Sequence, residues 1–344
     1  MKMGRQFFKD IRRLDKSAFS LTVGLRAAVF GIAPIILGFA IQQPALLFAS
    51  LGALFLTFTA RFLPTIPSKM LLLVCCTEAA AFGVGTLTAT TGHLLSPILL
   101  GIGVFVALFG WARTKWAAIG MFTAIVFAVG VGLPGYSIQS AGLRTFFSLI
   151  GTLWALLGIE IQRFVISHRI QLSGPVSTVA GEKQSIPRLE TLKSALPIGI
   201  ASAIGYTIGL VLGLPRDFWI IVTIILAVRP DPNLTITFTS MMVIGTITGA
   251  VIAAVIALGT SNIYLLLALL FSFAVVAFAV IGVNLILTQI FLAPFIIILL
   301  NIYNPGEWYL SLVRIVDVAI GGAIAVAMKY LLSALSGSRL SGFR

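Results

Sequence analysis

The sequence predicts an all-α, polytopic membrane protein: about twelve transmembrane helices arranged as two parallel six-helix repeats. Three observations carry that reading. The chain of 344 residues is 59% hydrophobic and only 10% charged, with a mean hydropathy of +1.10, a composition outside the range of soluble domains. Apolar runs recur from residue 21 to residue 333, of the length a hydrocarbon layer of about 30 Å requires. The second half also resembles the first at an offset of about 170 residues.

In that repeat, Leu25-Arg26 precedes a Gly-containing span as Leu192-Lys193 does, Pro44 opens a short second span as Pro215 does, and Met70 opens the third as Met241 does. Pro134-Gly135 follows the fifth span as Pro305-Gly306 does, and Arg144, seven residues before Gly151, matches Arg314, seven before Gly321. Six spans per half is an even number, so the halves share one orientation and are related by an axis along the membrane normal. A site is expected between them.

In chain order, residues 1–20 carry Lys2, Arg5, Lys9, Arg12, Arg13 and Lys16, with Phe7, Phe8, Ile11 and Leu14 on one helical face. They read as a basic amphipathic helix on the inner membrane surface. The first repeat occupies 21–161, with spans at 22–41, 45–60, 70–91, 94–112, 116–133 and 143–161. Residues 162–192 form the longest polar stretch, with Arg163, His168, Arg169, Glu182, Lys183, Arg188 and Glu190. They contain Ser-Gly-Pro and Ile-Pro but little to build a core, and read as a cytoplasmic linker. The second repeat occupies 193–333, with spans at 193–213, 217–229, 238–259, 262–282, 284–303 and 311–333, followed by a short tail, 334–344.

The stretch Leu214–Thr239 organises the second repeat. Its apolar run begins at Phe218 and stops at Arg229, about 18 Å as a helix. Either it is a half-crossing or Arg229 and Asp231 sit deeper than a loop should. Pro230 and Pro232 bracket Asp231, and a helix does not pass smoothly through both. Short, proline-broken segments ending in charges build polar sites inside lipid; a plain short helix with an interfacial loop is the alternative.

Charge fixes orientation. With the N-terminus inside, inward segments hold nineteen Lys or Arg, and outward segments hold three, Arg144, Arg216 and Arg314; Arg26, just inside the first span, completes the 23. Both termini are therefore expected on the cytoplasmic side of the plasma (inner) membrane. The net charge of +13 follows from this bias and does not call for nucleic acid. Cys75 and Cys76 are adjacent in an apolar segment, neither a disulfide framework nor a metal spacing. The N-terminus has no apolar stretch with a small-residue cleavage site before the first span, so no cleaved signal peptide is expected.

No GxxxxGK[ST], HExxH, GxSxG or acidic cluster is present, and His93 and His168 fall near opposite membrane faces. No enzyme, metal or cofactor is expected. The residues that stand out are ionisable groups in or near the apolar layer, each of which needs a partner, water or a substrate. Glu78 lies nine residues into its span, a depth that suits a proton carrier, with a structural pair to Arg26 as the alternative. Arg314 and Asp317 are three apart on one helical face and can pair, or switch: Asp317 takes a proton and Arg314 is freed for an anion. Arg144 has Phe147 where an acid would match Asp317, so it is either a snorkelling anchor or an anion site. Asn284, Thr288 and Gln289 give one span a polar stripe. Phe48, Phe218, Trp219, Trp308 and Tyr309 read first as interface aromatics, and the dense glycines as close-packing positions.

These motifs resemble the FUSC family, the fusaric acid resistance and aromatic acid exporter proteins. Phe218-Trp219-Ile-Ile-Val-Thr, Val228-Arg229-Pro230-Asp231 and Gly245-Thr-Ile-Thr-Gly249-Ala resemble the family's aromatic, apolar, Arg-Pro-Asp and Gly-Thr-x-x-Gly-Ala run, and Arg314…Asp317…Gly321 also fits. The resemblance covers 190–333, with a degenerate copy over 20–165. Many family members carry a cytoplasmic domain after each bundle; here a minimal form is expected.

The resemblance implies export of organic anions, aromatic carboxylates above all. The absence of an ATP motif points to secondary, proton-driven transport. Arg229, Arg314 and Arg144, with Trp219 and Gln289, are the expected substrate-binding residues, and Glu78, Asp317 and Asp231 the expected proton-coupling ones. Expected partners are membrane lipid, a small organic anion and a second copy of the chain, and from the resemblance a periplasmic adaptor protein. A passive pore and a non-transporting membrane subunit stay open as alternatives.

Overall fold

The computed structural model describes residues 14–112, 114, 116–169, 188–229, 231–303 and 309–335. Among them are twelve α-helices, one 3-10 turn and no strand. The helices are α1 (Leu21–Ala40), α2 (Leu46–Phe62), α3 (Ser68–Ala89), α4 (Gly92–Ala112), α5 (Ala117–Gly132), α6 (Ile138–Arg169), α7 (Arg188–Val211), α8 (Phe218–Ala227), α9 (Pro232–Gly259), α10 (Ile263–Ala279), α11 (Leu285–Tyr303) and α12 (Leu310–Leu335). Eight are long and apolar enough to cross a membrane, and α2, α5, α8 and α10 are shorter apolar helices.

Each expected span coincides with one helix, but several ends differ. α6 continues to Arg169 and α7 starts at Arg188, so both reach into the segment expected as linker. The reason is local: after Gly158 no glycine or proline interrupts the chain until Gly174-Pro175, and Pro187 stands immediately before α7. Residues 170–187 lie outside the described residues, as do 1–13 and 336–344, which held most of the expected amphipathic helix and the tail. The described part of the former, 14–20, is not α-helical. Asp15 accepts from the Ser17 N–H and caps a 3-10 turn at Lys16–Ala18, and Ser20 then caps α1 by accepting from the Val23 N–H.

α8 is the shortest helix. Ten residues rise about 15 Å, half of a hydrocarbon layer. It ends at Val228 in extended backbone, and α9 begins four residues beyond, at Pro232. Asp231 caps α9, its Oδ1 accepting from the Asn233 N–H at 2.8 Å, and proline fits the first turn because that turn needs no N–H. The Thr235 hydroxyl accepts from the Arg229 N–H at 3.0 Å, tying the break together. Asp231→Ala should therefore lower stability by about 1 kcal/mol, read as a shift in thermal unfolding of the purified protein.

Helix neighbours set the architecture. α2 packs on α6, α3 on α5 and α6, α4 on α5, and α1 on α2; α8 packs on α12, α9 on α11 and α12, α10 on α11, and α7 on α8. The two groups meet where α4 lies on α7, α10 on α1, and α5 on α8. Lipid tails are as apolar as leucine, so these contacts rest on close approach rather than on exclusion of water. At the α4–α7 crossing a Cβ on Gly101 would stand 2.8 Å from the Gly199 carbonyl oxygen, and one on Gly199 would stand 2.7 Å from that of Gly101. The centre is aromatic: Phe58 of α2 touches Phe278 of α10 with ring centroids 4.4 Å apart and stacks on Phe122 of α5 at 6.0 Å.

Hydroxyls bond across helices as well as within them. Among α1–α6 several bond across helices: Ser50 to the Gly31 carbonyl, Thr59 to Glu78, Ser68 to Glu160, and Thr86 to the Gly130 carbonyl. Among α7–α12, Thr223, Thr237, Thr248 and Ser272 each donate to the carbonyl four residues earlier in their own helix.

Candidate functional site

Arg314 lies in the second turn of α12 and is only 5% exposed. Its guanidinium carbon stands 4.0 Å from the ring centroid of Trp219, the second residue of α8. Nη2 donates a long bond of 3.5 Å to Oε1 of Gln289 on α11, while Nε and Nη1 have no partner. Gln289 can approach because α9 presents Gly245, where a Cβ would stand 2.7 Å from the Gln289 Cβ. Asp317, one turn further along α12, is fully buried with neither carboxyl oxygen bonded. Asp217, at the start of α8 and 7% exposed, is the second acid within electrostatic reach of Asp317, beside Arg314.

Arg314 and Asp317 form no hydrogen-bonded pair, since neither carboxyl oxygen of Asp317 has a partner. The cause is side-chain direction. Long helical side chains lean toward the helix N-terminus, and Arg314 lies over Trp219, within electrostatic reach of Asp317 but not bonded to it. The result is a buried cation and a buried acid on one face, both with open hydrogen-bonding positions.

Arg144 repeats this construction with a different outcome. Its guanidinium carbon stands 5.3 Å from the Phe48 ring centroid, and Phe48 precedes Arg144 by nearly the interval that separates Trp219 from Arg314. Here both Nη donors are engaged, and Nε alone has no partner. Nη1 donates to the Thr86 hydroxyl at 3.0 Å and to the carbonyls of Gly130 and Leu133 at 3.4 and 3.3 Å, and Nη2 donates to the Pro134 carbonyl. These are carbonyls at the end of α5 that the helix itself leaves without partners. Arg144, 3% exposed, caps α5 through its two Nη atoms.

Glu78 of α3 is fully buried between α2 and its own helix's neighbours. Oε1 accepts from the Thr59 hydroxyl at 2.7 Å, and Oε2 has no partner. Arg26 is not paired with it and donates instead to Oε1 of Gln162 on α6 at 2.5 Å.

Arg229 and Asp231 lie at the far end of α8. Ten residues separate Trp219, which carries Arg314, from Arg229, about 15 Å along a helix. Arg229 is half-buried over the Phe238 ring, 4.2 Å from its centroid, and donates to the Val228 carbonyl at 3.1 Å. The polar stripe of α11 divides likewise. Asn284 caps the helix by accepting from the Ile286 N–H at 2.8 Å, and Thr288 donates back to the Asn284 carbonyl at 3.0 Å; Gln289 alone faces Arg314. Of the expected interface aromatics, Tyr309 is exposed, Phe218 is buried, and Phe48 and Trp219 carry guanidinium groups; Trp308 lies outside the described residues.

Sequence reasoning missed Thr59, Gln162 and the arginine-supporting role of Phe48 and Trp219. The near-equal aromatic-to-arginine interval in both halves was the available signal for the last two.

Residues 202–328, from within α7 to within α12, match the family model described as fusaric acid resistance protein-like. No curated protein and no solved structure matches the chain. With eight helices of membrane-crossing length, the match supports a multi-pass membrane protein.

Proposed function

We propose, taking membership of the FUSC family as the premise, that this chain is a secondary, proton-coupled exporter of organic anions, aromatic carboxylates in particular. One observation carries the reading: Arg314 is a buried guanidinium with two nitrogens unbonded and its face supported by Trp219. A buried cation with open donors is costly, and a carboxylate is the group whose charge and geometry relieve that cost. The ring of an aromatic acid would compete with Arg314 for the face of Trp219, so binding draws the guanidinium off the indole.

Glu78 and Asp317 are the proton-exchanging groups in this reading, because each is fully buried with an unbonded carboxyl oxygen. Asp231 is occupied as the cap of α9, and Arg144 as the cap of α5. Arg229, at the end of the half-length α8, would meet the anion at a second point along its path.

Twelve spans in two parallel repeats is the arrangement we infer. Its support is the correspondence of neighbours: α1–α2, α2–α6, α3–α5, α3–α6 and α4–α5 recur as α7–α8, α8–α12, α9–α11, α9–α12 and α10–α11, and the α4–α7 contact is answered by α10–α1. Such a pair of bundles can rock about a shared axis. The bias of basic residues supports an inner-membrane location with both termini cytoplasmic.

The test is flux of labelled benzoate in proteoliposomes, with and without an imposed pH gradient. Uphill movement that requires the gradient is expected, with at least a tenfold loss in Arg314→Gln. Glu78→Gln and Asp317→Asn should each reduce the gradient-dependent component. Undiminished flux in Arg314→Gln would remove Arg314 from the pathway, and flux indifferent to the gradient would indicate a passive pore.

A further inference from the structure

Residues 15–20 cross the end of α10 before they enter α1. The Asp15 N–H donates to the Val283 carbonyl at 2.9 Å, and the Ser20 N–H donates to the Ala279 carbonyl at 3.0 Å. Between these bonds sits the 3-10 turn Lys16–Ala18. Gly282, with φ at +91°, passes so close beneath it that a Cβ there would stand 3.3 Å from the Ala18 Cβ. Arg61, in the last turn of α2, closes the arrangement. Its Nη2 donates both to the Ala18 carbonyl and, at 3.4 Å, to the Ile281 carbonyl.

The physical logic is that of a helix end. The last carbonyls of α10 have no partners within the helix and carry partial negative charge. Ser20 takes one of them, and the guanidinium of Arg61, from a different helix, takes one in the turn just beyond. A single cation therefore touches the N-terminal segment and the α10–α11 turn at once. Beyond this clip, α1 and α10 meet along small residues: Ala27, Ala28, Ala274 and Ala277 are all fully buried. Such a seam closes by shape and parts without breaking hydrogen bonds of its own.

We propose that residues 15–20, Arg61 and the end of α10 form a latch that shuts this end of the bundle, and that the α1–α10 seam opens only when Arg61 releases the Ala18 and Ile281 carbonyls. The latch is independent of which solute is carried, and its test needs no substrate.

The full chain would be placed in lipid nanodiscs and followed by amide hydrogen exchange. In the wild type the amides of 14–20 should be protected. Arg61→Gln should speed their exchange by about tenfold or more, and Arg61→Lys, which keeps the charge but loses the paired reach of the guanidinium, should do so by less. Asp15→Pro reaches the same end by another route, since proline lacks the N–H that bonds Val283. It carries the test if the Arg61 variants do not fold. Opening of the seam is read separately, from Ala277→Cys in a Cys75→Ala, Cys76→Ser background, by its labelling rate with a water-soluble maleimide. At least tenfold faster labelling in Arg61→Gln or Asp15→Pro is the expected result. Unchanged exchange in both variants would overturn the latch. Faster exchange of 14–20 with Ala277→Cys still blocked would reduce the segment to a tether and overturn the gating step.

Discussion

Arg144→Gln should destabilise the protein by about 3 kcal/mol, whereas Arg314→Gln should change its stability by no more than about 1 kcal/mol and could raise it. The two arginines are alike in sequence spacing, burial and aromatic support, so a surface view would treat them as equivalent. Their hydrogen bonds separate them. Arg144 serves the Gly130, Leu133 and Pro134 carbonyls and the Thr86 hydroxyl, and its removal strands buried acceptors at the end of α5. Arg314 serves only a distant Gln289 oxygen and leaves Nε and Nη1 open, so its removal deletes a buried charge that little else depends on. Thermal unfolding of both variants in one detergent checks the contrast. A large loss on Arg314→Gln would show that Arg314 is structural, and would leave the carboxylate site without its cation.

Gly151→Ala should cost about 3 kcal/mol or more, enough to reduce the yield of folded protein severely. A Cβ at Gly151 would collide with the Ala49 carbonyl oxygen and with the backbone carbon behind it. Backbone cannot rotate aside as a side chain can, so α6 would have to lift off α2 along one of the closest helix contacts in the chain. The control lies on the same helix: a Cβ at Gly142 meets nothing within 4 Å, and Gly142→Ala should be neutral or stabilising by up to about 1 kcal/mol through helix propensity. Equal effects of the two substitutions on thermal unfolding would refute the close-approach account. Gly321, matching Gly151 in the repeat, faces the Ile220 carbonyl oxygen at 2.5 Å, and its alanine variant should fail in the same way.

The helices themselves were legible because lipid demands long apolar runs, and those runs are visible residue by residue. Their ends were less so. Hydropathy marks the part of a helix that lies in lipid, and α6, α7 and α9 extend beyond it on residues such as Gln162, Glu190 and Thr235. The start of α9 was written in Asp231-Pro232, a cap and a first-turn proline, but the threonines that follow read as polar loop. Partners were the least legible. Three-residue spacing allowed a bonded Arg314–Asp317 pair, yet the guanidinium lies over Trp219 and both Asp317 oxygens stay without a hydrogen bond. Depth suggested Arg26 for Glu78, yet Arg26 faces α6 and Glu78 faces Thr59 of α2. Which face a helix offers to which neighbour is fixed by packing over the whole bundle, and local spacing does not encode it.

The hydroxyl bonds that cross between helices have a mechanical consequence. Bonds such as Ser50 to Gly31 and Thr59 to Glu78 act as rivets between α1, α2 and α3. Ser50→Ala and Thr59→Ala should each loosen this three-helix frame, by about 1 kcal/mol in thermal unfolding.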